Sequence, residues 1–347
     1  KIMQRDAAYI TKQTGKQCPP LYDMSDIQTC LVNTIEYGTG KQIDLVEDIS
    51  FQFFPAGHIF LSQQLKLSFH YSSRIKTVLV TSDLGNRITE QQRIFVEKFR
   101  PVEKANVVFG ESTYGSRSRR QTRYLLYQDI ETMKSIILHH CIDMNGRVLL
   151  PTFSLDKTPF VMWILYQAFH ENPEFNIPIL IDSPLAIRLL RHYASLLPLK
   201  EKKLFHEMMH WKCFKFVEDY EDSMAAISDH RPKVILSSGG MLQSGRSVLW
   251  ASDILPHAED CIIFTGYCGS GTLGSRVLRS DTKTIKIRSK QYPKRCAVYE
   301  FHTMSGHMQH SDLIRYYSSI QADAIYLLHG NMDGRIELQH DIQKSLA

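Results

Sequence analysis

The sequence predicts an α/β protein in which a doubly wound parallel sheet is inserted into a strand-rich frame. Three observations carry this reading. Short alternating apolar runs dominate the first 115 residues. From Arg123 onward, strand-like runs alternate with helical stretches, the pattern of a parallel sheet. From Thr284 the chain returns to strands, with one helix between the last two. The expected organisation is a first strand-rich part over 1–121, an inserted domain over 122–282 and a last strand-rich part over 283–347.

Taken in order, Ile27–Ile35 reads as a helix capped by Ser25 or Asp26. Leu45–Phe54 reads as a strand because Ile49, Phe51 and Phe53 alternate, and it runs into Pro55-Ala56-Gly57-His58. Leu65–Tyr71, Thr77–Val80 and Ala105–Phe109 read as further strands, the last two followed by Asp83 and Glu111. Arg123–Met144 reads as helical and closes at Asn145-Gly146. Strands then follow at Arg147–Pro151, Ile177–Asp182, Val234–Ser237 and Cys261–Thr265, with helices at Thr158–His170 and Ala186–Leu197. Strands at Thr284–Arg288, Cys296–Phe301 and Ala324–Leu328 and a helix at Ser311–Ser319 complete the chain.

A chain of 347 residues exceeds one ordinary core, so two domains are the natural expectation. An apolar content of 43% with 22% charged residues is that of a globular protein, and the longest apolar runs are far too short to cross a bilayer. The seven cysteines are scattered without a C-x-x-C pair, which favours reduced thiols in a cytoplasmic protein over disulfides or a thiolate metal site. A net charge of +5 permits an anionic partner without demanding one.

Chemistry concentrates where strands stop. His58, Asp83, Glu111, His307 and His329 all sit at or just past predicted strand ends or loops, where a rigid scaffold presents catalytic groups. Histidines and an aspartate gathered there suit a borderline divalent cation. Against this, a loop histidine and an Asx turn are the commoner fates of His58 and Asp83 taken alone. His310 reads as a solvated residue at a helix N-terminus, and His139-His140 point to two faces of a helix. Two Gly-rich loops follow strands of the inserted domain, one around Ser238, Gly239 and Arg246, the other from Gly266 through Thr272 to Arg276. Their amides and arginines could cradle phosphate, or the loops could be plain tight turns.

These motifs, in this order, resemble those of the metallo-β-lactamase-fold nucleases with an inserted β-CASP domain. Pro55-Ala56-Gly57-His58 resembles the third metal motif of that family, and Asp83 the fourth. Glu111-Ser112-Thr113-Tyr114-Gly115 resembles motif A, Ser305-Gly306-His307 motif B and Leu328-His329-Gly330 motif C. The resemblance implies a four-layered αββα fold, two zinc ions and phosphodiester hydrolysis, and a histidine at motif C implies RNA rather than DNA. It further implies His58, Asp83 and His329 as metal ligands, with Asp83 shared between ions that activate a bridging water. His307 is then the general acid and Glu111 the carboxylate that orients it. RNA would be held by Arg117, Arg119, Arg120 and Arg123 together with Ser238, Gly239, Arg246, Gly266, Thr272 and Arg276.

The sequence departs from that family in three places. The His-x-His-x-Asp-His motif that supplies most zinc ligands is not found in these residues, so the expected frame is an incomplete αββα fold holding less than its full zinc complement. Gln309 stands where the family has an aspartate two residues after the motif B histidine. The Ser/Arg-rich stretch 116–120 replaces a histidine that often follows motif A. The rival expectation is a catalytically inactive scaffold that binds RNA or a partner nuclease. Homodimer and partner-subunit arrangements stay open, and no membrane is implied.

Overall fold

A computed structural model describes residue 15 and residues 22–85, 95–116 and 123–346, with the backbone alone over 123–125. The chain divides into two compact units, Lys1–Lys41 and Gln42–Ala347. In the first, a helix spans Met24–Val32 and buries none of its residues. Its cap is Asp23, not Ser25 or Asp26. The Asp23 carboxylate accepts from the Ser25 and Asp26 amides, while Asp26 reaches back to the Asp23 amide.

The second unit contains two six-stranded sheets. In the first sheet, β1 (Gln42–Val46), β2 (Ile49–Pro55), β3 (Gln63–Tyr71) and β4 (Arg74–Val80) form an antiparallel meander. β5 (Val107–Glu111) then joins β4 in parallel, and the late strand β14 (Ala324–Leu328) joins β5 in parallel. The run read as one strand over Leu45–Phe54 is therefore two strands, broken by a turn at Glu47-Asp48. Polar residues cluster there, and alternation resumes only at Ile49.

One face of this sheet is packed. Phe54, Leu79 and Val108 lie against Leu313, Tyr316 and Tyr317 of the helix His310–Ser319 and Leu338 of the helix Met332–Leu346. The other face carries a cross-strand row, Phe53–Leu65–Val80–Phe109–Tyr326, in register across the strands. These side chains are only half covered, and Tyr326 is exposed. A sheet that is apolar on both faces is one suited to the inside of a layered sandwich, and among the described residues this is the one sheet that the frame contributes.

The second sheet is wholly parallel and has the order β13-β10-β6-β9-β7-β8. Its strands are β6 (Arg147–Thr152), β7 (Ile179–Asp182), β8 (Phe214–Phe216), β9 (Lys233–Ser238), β10 (Cys261–Phe264) and β13 (Ala297–Glu300). Alternation along the strands supplies two cores. Val148, Leu150, Ile179, Ile181, Val234 and Leu236 face one side, where the helices Arg123–Leu138, Lys157–Phe169 and Pro184–Leu196 pack. Leu149, Leu180, Ile235, Ile262 and Phe264 face the other, against the helices Ser247–Ile254 and Leu273–Leu278. This is the doubly wound insertion expected from the sequence. Its sheet extends past residue 282, however, because β13 pairs with β10 before the chain returns to the first sheet. The intervening hairpin of β11 (Thr284–Ile287) and β12 (Lys290–Pro293) anchors on the second core through Ile285 and Ile287.

Cys30, Cys141, Cys213, Cys261, Cys268 and Cys296 are free, and burial pushes the Cys141 and Cys296 thiols up to about 12. No helix among the described residues is long and apolar enough to cross a membrane. The helix expected over Arg123–Met144 is α-helical to Leu138 and closes with a π-helical turn, His139–Asp143. His140 is held there against the Glu259 carbonyl, while His139 meets Asp143.

Beneath β6 lies an ion pair removed from water. The Arg147 guanidinium, 1% exposed, contacts Asp260 and Asp253, each at 2.6 Å. The Asp260 carboxylate also accepts the Arg147 amide, so it joins β6 to the start of β10. Removing one member of such a pair strands the other charge in the interior. Arg147→Ala is expected to lower unfolding stability by about 3–5 kcal/mol, read by urea titration of intrinsic tryptophan fluorescence. A loss no larger than about 1 kcal/mol, the range of an exposed pair, would contradict the arrangement.

Candidate active site

β2, β4, β5 and β14 run in the same direction, so their C-terminal ends share one edge of the first sheet. Each carries a candidate side chain to that edge, as open α/β sheets commonly do with ligand-binding groups. β2 turns through Ala56 and Gly57 to His58; β4 leads to Asp83; β5 ends in Glu111; β14 leads to His329. His307 comes from the loop before the helix His310–Ser319.

The first two loops are stitched together. The Gly85 amide donates to the Ala56 carbonyl at 2.9 Å, and Gly57 holds φ at 71°. A Cβ on Gly85 would stand 1.7 Å from the Gly57 carbonyl oxygen, so only glycine permits this approach. The result brings His58 Nε2 to 3.9 Å from Asp83 Oδ2.

Glu111 is the buried member, with its side chain 2% exposed. Its Oε1 accepts from the Leu84 amide at 2.8 Å and its Oε2 from the Thr113 amide at 2.9 Å. His307 Nδ1 lies 3.3 Å from Oε1. Burial pushes this carboxyl up, but the hydrogen bonds and charge of His307, with the bonds from Thr113, outweigh it and hold the group below its ordinary range. His307 is gripped elsewhere as well. Its amide donates to Ser305 Oγ at 3.3 Å, that oxygen accepts from Tyr114 at 2.7 Å, and the Tyr114 ring meets the imidazole edge-on at 5.8 Å. The imidazoles of His58 and His307 lie with centroids 4.3 Å apart.

His329 sits at φ 54°, a left-handed conformation that costs a non-glycine residue about 1–2 kcal/mol. The surroundings hold it there. Ser112 Oγ donates to the Leu328 carbonyl, and Thr113 Oγ1 donates to the His329 carbonyl. His329 Nδ1 reaches Asp83 Oδ1 at 3.0 Å. Asp83 therefore turns one oxygen towards His58 and the other towards His329.

Donor atoms of His58, Asp83 and His307 all lie within 4.8 Å of one another. Two imidazoles and a carboxylate match the donor chemistry of zinc, so these residues fit the ion. That trio contains His307 where the sequence reading has His329, because His307 is drawn in over His58 by Glu111.

The remaining site candidates separate. Arg117, Arg119 and Arg120 lie outside the described residues, as does the Arg123 side chain. Ser238 ends β9 and Gly239 follows it, Gly239 at φ 109° with its carbonyl bonded by Ser247 Oγ. Arg246 is turned inward. Its guanidinium donates to Asp182 Oδ1 at 2.6 Å and to the Val217 and Glu218 carbonyls, so its donors are engaged within the fold and not directed at phosphate. The fully buried Asp182 carboxylate, which also accepts from Ser223 and Trp250, requires that cation. Thr272 caps the helix Leu273–Leu278. Gly266 lies beside Lys157, whose ammonium donates to the Thr265 and Met304 carbonyls and joins the insertion to the His307 loop. Arg276 is exposed.

The expectation for His310 changes. His310 is 8% exposed and pairs with Asp341 at 2.9 Å, tying the last two helices together instead of standing in solvent. Gln309 is buried and precedes that helix as its cap residue. Tyr114, Ser305 and Lys157 emerge only from the fold, since nothing in their spacing marks them as partners.

Residues 160–277 match the Beta-Casp domain, and residues 291–345 match the Zn-dependent metallo-hydrolase RNA specificity domain. The transcription termination factor FttA of Methanocaldococcus jannaschii is 28% identical over an alignment covering 95% of this chain and 52% of that protein. The ribonuclease TTHA0252 of Thermus thermophilus is 26% identical, over 92% of this chain and 71% of its own length. The endoribonuclease ysh1 of Schizosaccharomyces pombe is 25% identical, over 89% of this chain and 39% of its length. The chain thus spans about half the length of the archaeal factors it matches. The two domain matches thus fall on the insertion, which is a β-CASP domain, and on the closing segment that carries His307 and His329, which matches the metallo-hydrolase RNA specificity domain.

Proposed function

We propose that this chain carries the proton-donating half, and part of the metal-binding half, of a zinc-dependent ribonuclease active site. The observation that supports it most is the Glu111–His307 pair set beside Asp83, with His58 and His329 on its two oxygens. His58, Asp83 and His329 would hold the metal, and bound zinc supplies Lewis acidity and an activated water. Two of the relatives are named ribonucleases, and the last domain match is described by RNA specificity.

The chain's own residues then act as follows. His307 Nδ1 is engaged by Glu111, which leaves Nε2 to give its proton to the departing oxygen. The Glu111 carboxylate keeps the imidazole oriented. Tyr114 and Ser305 fix the backbone and the ring edge, so the proton is delivered from one position. The free thiols among the described residues fit a reducing, cytoplasmic setting.

In the full-length protein loaded with zinc, His307→Ala is expected to slow single-turnover RNA cleavage about 10²–10⁴-fold. An activated phosphodiester, whose leaving group needs little protonation, should recover much of that loss, and Glu111→Gln should show a smaller version. Equal losses on both substrates would remove His307 from the acid role.

Metal content separates the ligands from the acid. Asp83→Ala in the full-length protein should lower zinc retained after dialysis, measured by elemental analysis, whereas His307→Ala should not. Zinc lost with His307 as well as with Asp83 would reassign the ligands to the alternative trio of His58, Asp83 and His307.

A further inference from the structure

Residues 276–295 hold eight basic residues and one acidic one, a net of +7 against +5 for the entire chain. They lie at the seam between the two domain matches, which cover 160–277 and 291–345. There the structure forms an open groove of about 420 Å³, lined by Arg276, Arg279, Thr282, Thr284, Lys286 and Arg288 with Ile285 at its floor. The fold aims these side chains outward. Ile285 and Ile287 are buried in the second core, so Thr284 and Lys286 point to the opposite, exposed side of β11, and Arg288 follows, exposed, in the turn. Arg279 pairs with Asp281, while Arg276, Lys286 and Arg288 have no carboxylate partner among the described residues.

Arg288 also occupies a costly position. It is the first residue of the two-residue turn between β11 and β12, at φ 55°, where glycine or asparagine is the usual choice. A strained backbone bearing a cation at the tip of a basic hairpin suggests a ligand for that cation.

We propose that this groove binds the phosphodiester backbone of single-stranded RNA, outside the catalytic edge and without reading bases. Naming RNA rests on the ribonuclease reading above. Lys286 and Arg288 are two residues apart, their Cα atoms separated by at most about 7 Å, and their long side chains can reach successive phosphates of an extended strand. The lining has no aromatic side chain to stack a base, so contacts are to backbone charge, and the hydroxyls of Thr282 and Thr284 add donors. The helix Leu273–Leu278 links the groove to the Gly-rich loop after β10, so a strand crossing that loop is led past Arg276 into it.

The test is fluorescence anisotropy of the full chain with a labelled oligouridylate across a salt series, for the wild type and Lys286→Ala/Arg288→Gly. Glycine suits the turn, so thermal melting should not fall. Removing each cation should flatten the slope of log affinity against log salt by about 0.7. Wild-type binding with an unchanged slope in the variant overturns the groove and leaves the catalytic reading standing. A wild type that binds no RNA overturns both. Inorganic polyphosphate and polyglutamate are run as separate ligands. Binding of either that is lost in the variant, beside an unchanged RNA slope, assigns the groove to a small polyphosphate or an acidic protein and overturns the proposal.

Discussion

The Glu111 carboxylate is the interaction on which the candidate active-site edge depends. It stands at the end of β5 almost without water, and a charge so placed must be answered by donors. The donors come from three directions: the Leu84 amide beside Asp83, the Thr113 amide on the following turn, and the His307 imidazole. One buried group thereby fixes the position of the Asp83 loop, the direction in which the chain leaves β5, and the orientation of His307. Thr113 carries the constraint one step further, to His329. Remove the carboxylate, and each of these loops loses a shared anchor, although the strands beneath them would still pair.

The inserted domain repeats this device twice, for a different purpose. Asp182 gathers Ser223, Trp250 and Arg246, and Asp260 gathers the Arg147 side chain and amide. Both are hydrogen-bonded within the protein and lie at opposite ends of the parallel strands, one as the last residue of β7 and one just before β10. They set the geometry of loops and strand ends without facing a substrate. The contrast with Glu111 is instructive. Its partner His307 lies among groups that can hold a metal, whereas the partners of Asp182 and Asp260 do not.

Much of this was legible in the sequence because strand ends are. Alternation ending at Val80, Phe109 and Leu328 foretold where Asp83, Glu111 and His329 would emerge, and parallel pairing brings those ends to one edge. What alternation could not convey is partnership. Arg246 resembles a phosphate contact in a Gly-rich loop, yet it answers Asp182, sixty-four positions earlier in the chain. His310 resembles a solvated helix start, yet it meets Asp341 from the last helix. Helices such as Leu199–Met209 and Tyr220–Ser228 were not anticipated, since their polar exposed faces dilute the apolar period. The late joining of β13 to the inserted sheet has a similar cause: a four-residue strand looks the same in either sheet.

The account's central claim is that this edge, in the full-length protein with its metal, cuts RNA. The most direct measurement follows strand scission of an end-labelled RNA by zinc-loaded full-length protein, by the same protein after chelation, and after zinc is restored. The account predicts cleavage that is lost with the metal and regained with it. RNA bound by the zinc-loaded protein but never cut would contradict the account and leave a binding scaffold in its place.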